Sequence, residues 1–222
     1  MKKHSLILCA VTIFGCAAMA VVDGILQPTY FVKSAIKWIL FLLIPLLITK
    51  KLRFSPFVCL RPRKSAILWG LALGACTFGV ICGGYALVSS FLDLSAIPEA
   101  LETGAGVTRE NFLWVSLYIA LCNSLLEEFF FRGLAFLTLR QRISGPFPWI
   151  FSSAAFALYH AAFMKGWFSP LLYALILAAL FVCGLFFNLL DHIQERVWTS
   201  WLVHLSANLA INAIGMKLLG IF

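Results

Sequence analysis

Charge is scarce in this chain of 222 residues. Asp, Glu, Lys and Arg make up only 12%, with nine acidic residues in all, against 62% hydrophobic residues. Soluble domains carry about 25% charged and about 45–50% apolar residues, so this composition excludes an ordinary cytosolic enzyme and a disordered chain. Paired cysteine spacings are missing as well. Cys9, Cys16, Cys59, Cys76, Cys82, Cys122 and Cys183 are odd in number, include no C-x-x-C and lie mostly inside apolar runs. They read as small apolar residues rather than a disulfide scaffold. No repeat of 20–50 residues, no low-complexity tract and no inverted half-to-half symmetry is present, which argues against a repeat-built transporter.

What remains is long apolar runs. They predict an all-α polytopic transmembrane bundle of about seven spans, near residues 5–22, 33–49, 65–92, 111–139, 147–164, 169–190 and 197–219. Three spans form an N-terminal part, residues 1–110, and four a second part, residues 111–219. The net charge of +8 resides in short loops, a positive-inside pattern and not a nucleic-acid footprint. Lys50, Lys51, Arg53, Arg61, Arg63 and Lys64 crowd one loop, expected to be cytoplasmic. Asp93, Glu99, Glu102 and Glu110 mark the next one, expected outside. Parity then puts the N-terminus, Arg140, Arg142 and the Asp191–Arg196 loop inside, and Lys165 and the C-terminus outside. Lys2 and Lys3 ahead of an apolar stretch ending Ala18-Met19-Ala20 also fit a signal peptide, a second reading of the first span. Gly70-x-x-x-Gly74 and Gly79-x-x-x-Gly83 in the third span suit close helix packing.

The polar residues inside the apolar runs are the exceptions. The fourth span contains Asn123-Ser124-Leu125-Leu126-Glu127-Glu128-Phe129-Phe130-Phe131-Arg132. Each charge near a helix centre costs about 2.5–3.5 kcal/mol on insertion scales, so these groups must face protein or water. Glu128 and Arg132, four apart, share a face and can pair. Glu127 lies about 100° round the helix and is left over. A carboxylate without a cation at that depth is either protonated or tied to water or histidine, and burial moves it toward general-base chemistry. His160 stands on the fifth span. On the seventh, Ser200, His204, Asn208 and Asn212 recur every four residues as a polar stripe. With a 1.5 Å rise, Glu127, His160 and Asn208 lie about 18–20 Å and His204 about 12 Å from the cytoplasmic ends of their helices, so one cavity open to the cytoplasm can hold all four. His4, and His192 with Asp191, Glu195 and Arg196, read as solvated tail and loop. Asn188 is a weaker candidate for the cavity wall.

Glu127-Glu128-x-x-x-Arg132, Phe156-x-x-x-His160 and His204-x-x-x-Asn208, in that order on three late helices, resemble the CPBP family, the CAAX prenyl protease and bacteriocin-processing enzymes, also called glutamic intramembrane proteases. The resemblance covers roughly residues 110–215. It implies that Glu127 and His160 hold and activate a water, that His204 and Asn208 stabilise the oxyanion, and that Glu128 and Arg132 support helix four. It further implies an endopeptidase without cofactor or metal, acting on a membrane-associated protein or peptide. CAAX proteases of this family are usually read with eight helices, against seven here, and the charged segment 191–198 replaces a short Gly-Ser turn. Compact loops and small size point to a bacterial inner membrane. Three other functions fit the same residues. These are a metal-dependent protease using Glu127, His160 and His204, a non-catalytic scaffold or self-immunity protein, and a proton-coupled transporter.

Overall fold

The computed structural model describes residues 2–52 and 59–221, and among these it is helical throughout with no strand. Arg53, counted above in the basic loop, lies outside them. Five helices are long and apolar enough to cross a membrane: α1 (Lys3–Leu26), α2 (Tyr30–Lys51), α3 (Lys64–Phe91), α5 (Phe112–Thr138) and α7 (Pro170–Gln194). Between α3 and α5 stands a short helix, α4 (Ala96–Ala105), where a loop was expected. Its Leu101 turns onto Val107 and Phe112 in a small apolar cluster, which gives an otherwise polar segment a buried face.

Two further helices, α6 (Phe147–Phe163) and α8 (Trp198–Leu218), occupy the fifth and seventh apolar runs. Of the seven expected spans, five are long and apolar enough by length and composition. α6 has only 17 residues, about 26 Å at 1.5 Å per residue against a core about 30 Å thick. α8 has 21 residues, but Ser200, His204, Asn208 and Asn212 dilute its hydropathy. These two helices carry His160 and His204.

The main apolar core joins early and late helices. Leu8 and Met19 of α1, Phe41 of α2, Phe130 and Phe131 of α5 and Tyr159 of α6 are buried together, with the Phe41 and Phe130 rings stacked 3.9 Å apart. α3 packs along α8 through glycine. A methyl group on Gly70 would meet Leu202, and one on Gly74 would stand 2.5 Å from Ser206 Oγ and 3.0 Å from the Leu202 carbonyl. The second glycine pair, Gly79 and Gly83, has nothing within 4 Å, so the packing predicted for it is absent.

The basic loops gather at one end. Arg63 donates to the Gln194 carbonyl, Trp198 Nε1 to the Leu60 carbonyl at 2.9 Å, and Val197 N to the Cys59 carbonyl at 3.1 Å. Arg140 contacts His192 there and lies 3.8 Å from Glu195. At the opposite end Phe91, Asp93 and Ala96 share a cavity of about 450 Å³ with Gly166 and Trp167.

Several helices contain wide turns with i→i+5 bonding: Val22–Leu26, Ile39–Leu43, Ile119–Asn123 and the 11-residue run Glu128–Thr138. In α2 the cause is local. Pro45 lacks the N–H that would bond to the Phe41 carbonyl, and the turn before it opens. In α5 the wide turns flank Ser124–Glu127, a single regular turn.

Gly74→Ala and Gly79→Ala separate the two glycine pairs. The first forces α8 away and costs about 1–3 kcal/mol, read as a lower melting temperature in detergent, while the second leaves the melt unchanged.

Candidate active site

Two adjacent glutamates of α5 sit at the centre of the bundle, 2% and 0% exposed for Glu127 and Glu128. They go to different partners. Glu128 Oε1 lies 3.3 Å from Arg132 Nη1, four residues on. The guanidinium is wholly buried and stacks on Phe156, 4.1 Å to the ring centroid, and Phe187, 4.9 Å. Planar Arg is suited to this sandwich between aromatic faces.

Glu127 is not without a cation. The ammonium of Lys37, from α2 and 90 residues earlier, bonds directly to its Oε1. Asn123 closes a ring: its Oδ1 accepts from Lys37 Nζ at 2.6 Å, and its Nδ2 donates to Glu127 Oε1 at 3.0 Å. The surplus carboxylate of the sequence reading thus has an ionic partner, and this corrects it. Lys37 also lies over the Tyr159 ring at 4.7 Å and Phe41 at 5.3 Å. One turn earlier on the same helix, Lys33 pairs with Asp23 at 2.9 Å, so that cation is taken up elsewhere.

With Oε1 so engaged, Oε2 of Glu127 faces the two histidines, 3.9 Å from His160 Nε2 and 3.7 Å from His204 Nε2. These separations exceed a direct hydrogen bond and suit one bridged by water. His160 Nδ1 is 2.8 Å from the Phe156 carbonyl, which can only accept. Nδ1 therefore carries a proton, and Nε2 turns toward Glu127. His204 Nδ1 lies 2.8 Å from Glu128 Oε1, so its ring bridges the two glutamates. Phe156 and Phe187 pack edge-on or tilted against it.

The stripe on α8 is used along its whole length. Ser200 Oγ donates to Asp191 Oδ2 at 2.8 Å, His204 engages Glu128, Asn208 Nδ2 donates to the Ile119 carbonyl at 3.4 Å, and Asn212 Nδ2 to the Ser116 carbonyl at 3.0 Å. Asn208 is thus one turn from His204, with its amide on the wide-turn backbone of α5 instead of on Glu127. Asp191 departs from the solvated-loop reading. α7 runs on to Gln194, and Asp191 is 0% exposed inside the bundle. His192 and Glu195 are exposed, as expected of them, while His4 belongs to α1 rather than to a free tail. Asn188 is buried and ties α7 to α6 through the Trp149 carbonyl at 3.2 Å and Ser153 Oγ at 3.1 Å.

One family model matches. That of the type II CAAX prenyl endopeptidases, Rce1-like, covers residues 109–210. Over this segment the chain is similar to that family. No curated protein and no solved structure matches the chain. The Rce1-like segment holds Glu127, Glu128, Arg132, His160, His204 and Asn208. Lys37 and the Asp23–Lys33 pair lie before it. An Rce1-like segment and five membrane-capable helices support a peptidase integral to a membrane.

Lys37 escaped the sequence reading, although a signal was available. Lys33 and Lys37 are two cations one turn apart inside an apolar run, and the insertion cost that singled out Glu127 applies equally to them.

Arg132→Ala leaves Glu128 buried beside His204 alone. Breaking a buried pair in this way costs about 3–5 kcal/mol, so the folded fraction recovered in detergent should drop sharply, and Arg132→Lys, without the planar stack, should recover only part of it.

Proposed function

We propose that the chain is an intramembrane endopeptidase in which Glu127 activates a water to cleave a membrane-associated protein or peptide. The observation that supports this most directly is the convergence of His160 Nε2 and His204 Nε2 on Glu127 Oε2, at 3.9 Å and 3.7 Å, from three helices that the chain brings together over 77 residues of sequence. A water between Glu127 Oε2 and His160 Nε2 donates one hydrogen to each, and its lone pairs are then free to attack a carbonyl carbon. As the oxygen–carbon bond forms, the water proton passes to Glu127, and the carbonyl π pair becomes the oxyanion. Collapse returns that proton to the leaving amine.

The oxyanion falls to His204 and Asn208. Donors of this kind, fixed in a dry site, contribute about 2.7–4 kcal/mol each. The Asn208 amide reaches the Ile119 carbonyl only at 3.4 Å, a long bond that an oxyanion would replace. Glu128, with Arg132 behind it, accepts from His204 Nδ1 and so turns Nε2 toward the reaction, and His204 donates to the oxyanion from Nε2 with both ring nitrogens protonated. The two parts of the chain divide the work: residues 111–219 supply the reacting groups, and residues 1–110 supply three helices that enclose them.

The gathering of Arg63, Arg140 and Arg196 at one end of the bundle supports a cytoplasmic placement of that end, with the site opening toward it, in a bacterial inner membrane. A site enclosed by membrane-capable helices favours a membrane-associated protein or peptide as substrate.

Glu127→Gln, His160→Ala and His204→Ala should each reduce cleavage by at least about 10²-fold at unchanged membrane expression. The Glu127→Gln protein should also retain its uncleaved substrate on co-purification. Normal turnover by Glu127→Gln would refute the mechanism. Persistence of a protective phenotype in that variant would favour a binding or self-immunity role instead.

A further inference from the structure

Lys37 does more than neutralise a buried acid. Its ammonium and the Asn123 amide both engage Oε1 of Glu127, and Asn123 is itself held by Lys37 at 2.6 Å. The three side chains form a closed ring, and a closed ring fixes the carboxylate rotamer. Only Oε2 is then left to face His160 and His204. The ammonium is 5% exposed and lies over the faces of Tyr159 and Phe41, whose quadrupoles favour a cation. Lys33, the one other lysine buried on this helix among the described residues, is committed to Asp23 at 2.9 Å and over Phe163, and does not substitute for it.

The charge balance gives this contact a further consequence, which rests on the general-base reading of Glu127. Before attack, Glu127 carries one negative charge and Lys37 one positive, and the pair is neutral. During attack the water proton moves to Glu127, the water oxygen bonds to the carbonyl carbon, and the carbonyl π pair moves onto its oxygen. Glu127 is then neutral, Lys37 still positive and the oxyanion negative. The cation thus loses the charge of its partner as a new anion forms in the site. The net charge of base, cation and carbonyl is zero before and after attack, so no unbalanced charge arises in an apolar interior.

We infer that Lys37, from outside the family-matched segment, is a positioning residue of the proposed reaction: it presents Oε2 of Glu127 to the water and keeps the net charge of base, cation and carbonyl at zero through attack. The N-terminal helices are therefore part of the catalytic apparatus, and the Rce1-like segment is incomplete without α2.

Steady-state kinetics on the full-length protein in detergent or bilayer, with a fluorogenic peptide substrate, tests this. Lys37→Gln should lower kcat on the order of 10²-fold with little change in KM, whereas Lys37→Arg, which keeps the cation, should retain most of the lost rate. A Lys37→Gln protein with wild-type kcat overturns the inference. If Lys37→Gln does not fold, Lys37→His carries the test: the ratio of its rate to the wild type's should fall as pH rises past the imidazole's ordinary titration, about 6.5, His160 and His204 being common to both proteins. A Lys37→His protein with the wild-type pH profile overturns the inference equally. An inactive Glu127→Gln beside a fully active Lys37→Gln sinks this inference alone, while an active Glu127→Gln removes the reading beneath it.

Discussion

An ion at membrane depth has no water to hold it, and the arrangement of this bundle follows from that constraint. Asp23 meets Lys33 at 2.9 Å, Glu128 meets Arg132 at 3.3 Å, and Glu127 meets Lys37. Desolvation makes an isolated buried charge very costly, and each pairing offsets that cost only if its geometry is good. The pairs therefore dictate which helices touch. The Asp23 pair joins α1 to α2, and the Lys37 pair joins α2 to α5. The Arg132 pair stays within α5 but places its guanidinium between Phe156 of α6 and Phe187 of α7. Apolar packing fills the space between these ties, as the stacked Phe41 and Phe130 do, but a bilayer is as apolar as leucine and gives side chains little reason to prefer one helix partner over another.

The site inherits its asymmetry from the same pairs. Two adjacent glutamates could have been equivalent. Instead one has a point-charge partner on a distant helix and a free oxygen toward His160, and the other has a planar partner one turn away and serves His204. A carboxylate bound on one oxygen and open on the other is what base chemistry requires. A carboxylate bound to an arginine and a histidine together is what orienting chemistry requires. His204 touches both roles, since its ring spans 2.8 Å to Glu128 and 3.7 Å to Glu127.

Much of this could be read from residue order. Apolar runs located the helices because a lipid core leaves few alternatives to helix, and spacing of four put Glu128 beside Arg132 and His204 beside Asn208. Three things were hidden, each for a physical reason. Lys37 is 90 residues from Glu127, and spacing rules reach only one or two turns. The wide turns of α5 change the hydrogen-bond register without changing composition, and no proline marks them as Pro45 marks the turn in α2. Asp191 looked like loop because charged residues follow it, yet α7 continues past it and Ser200 satisfies it from the next helix. Two of the seven apolar runs fall short by length or composition for separate reasons: α6 has only 17 residues, and α8 carries polar residues toward the site that lower its hydropathy.

The Lys37–Glu127 contact also bears on how the protein is made. Translation delivers Lys37 first and Glu127 90 residues later, and at about 5–20 residues/s that interval is about 5–18 s. For that time α2 has left the ribosome with two cations one turn apart, and only Asp23 has been synthesised to meet either of them. α2 is then a segment whose own sequence resists the lipid it is to occupy. Its insertion is completed by a helix that does not yet exist, so during biogenesis Glu127 acts first as the counterion that lets an earlier span settle.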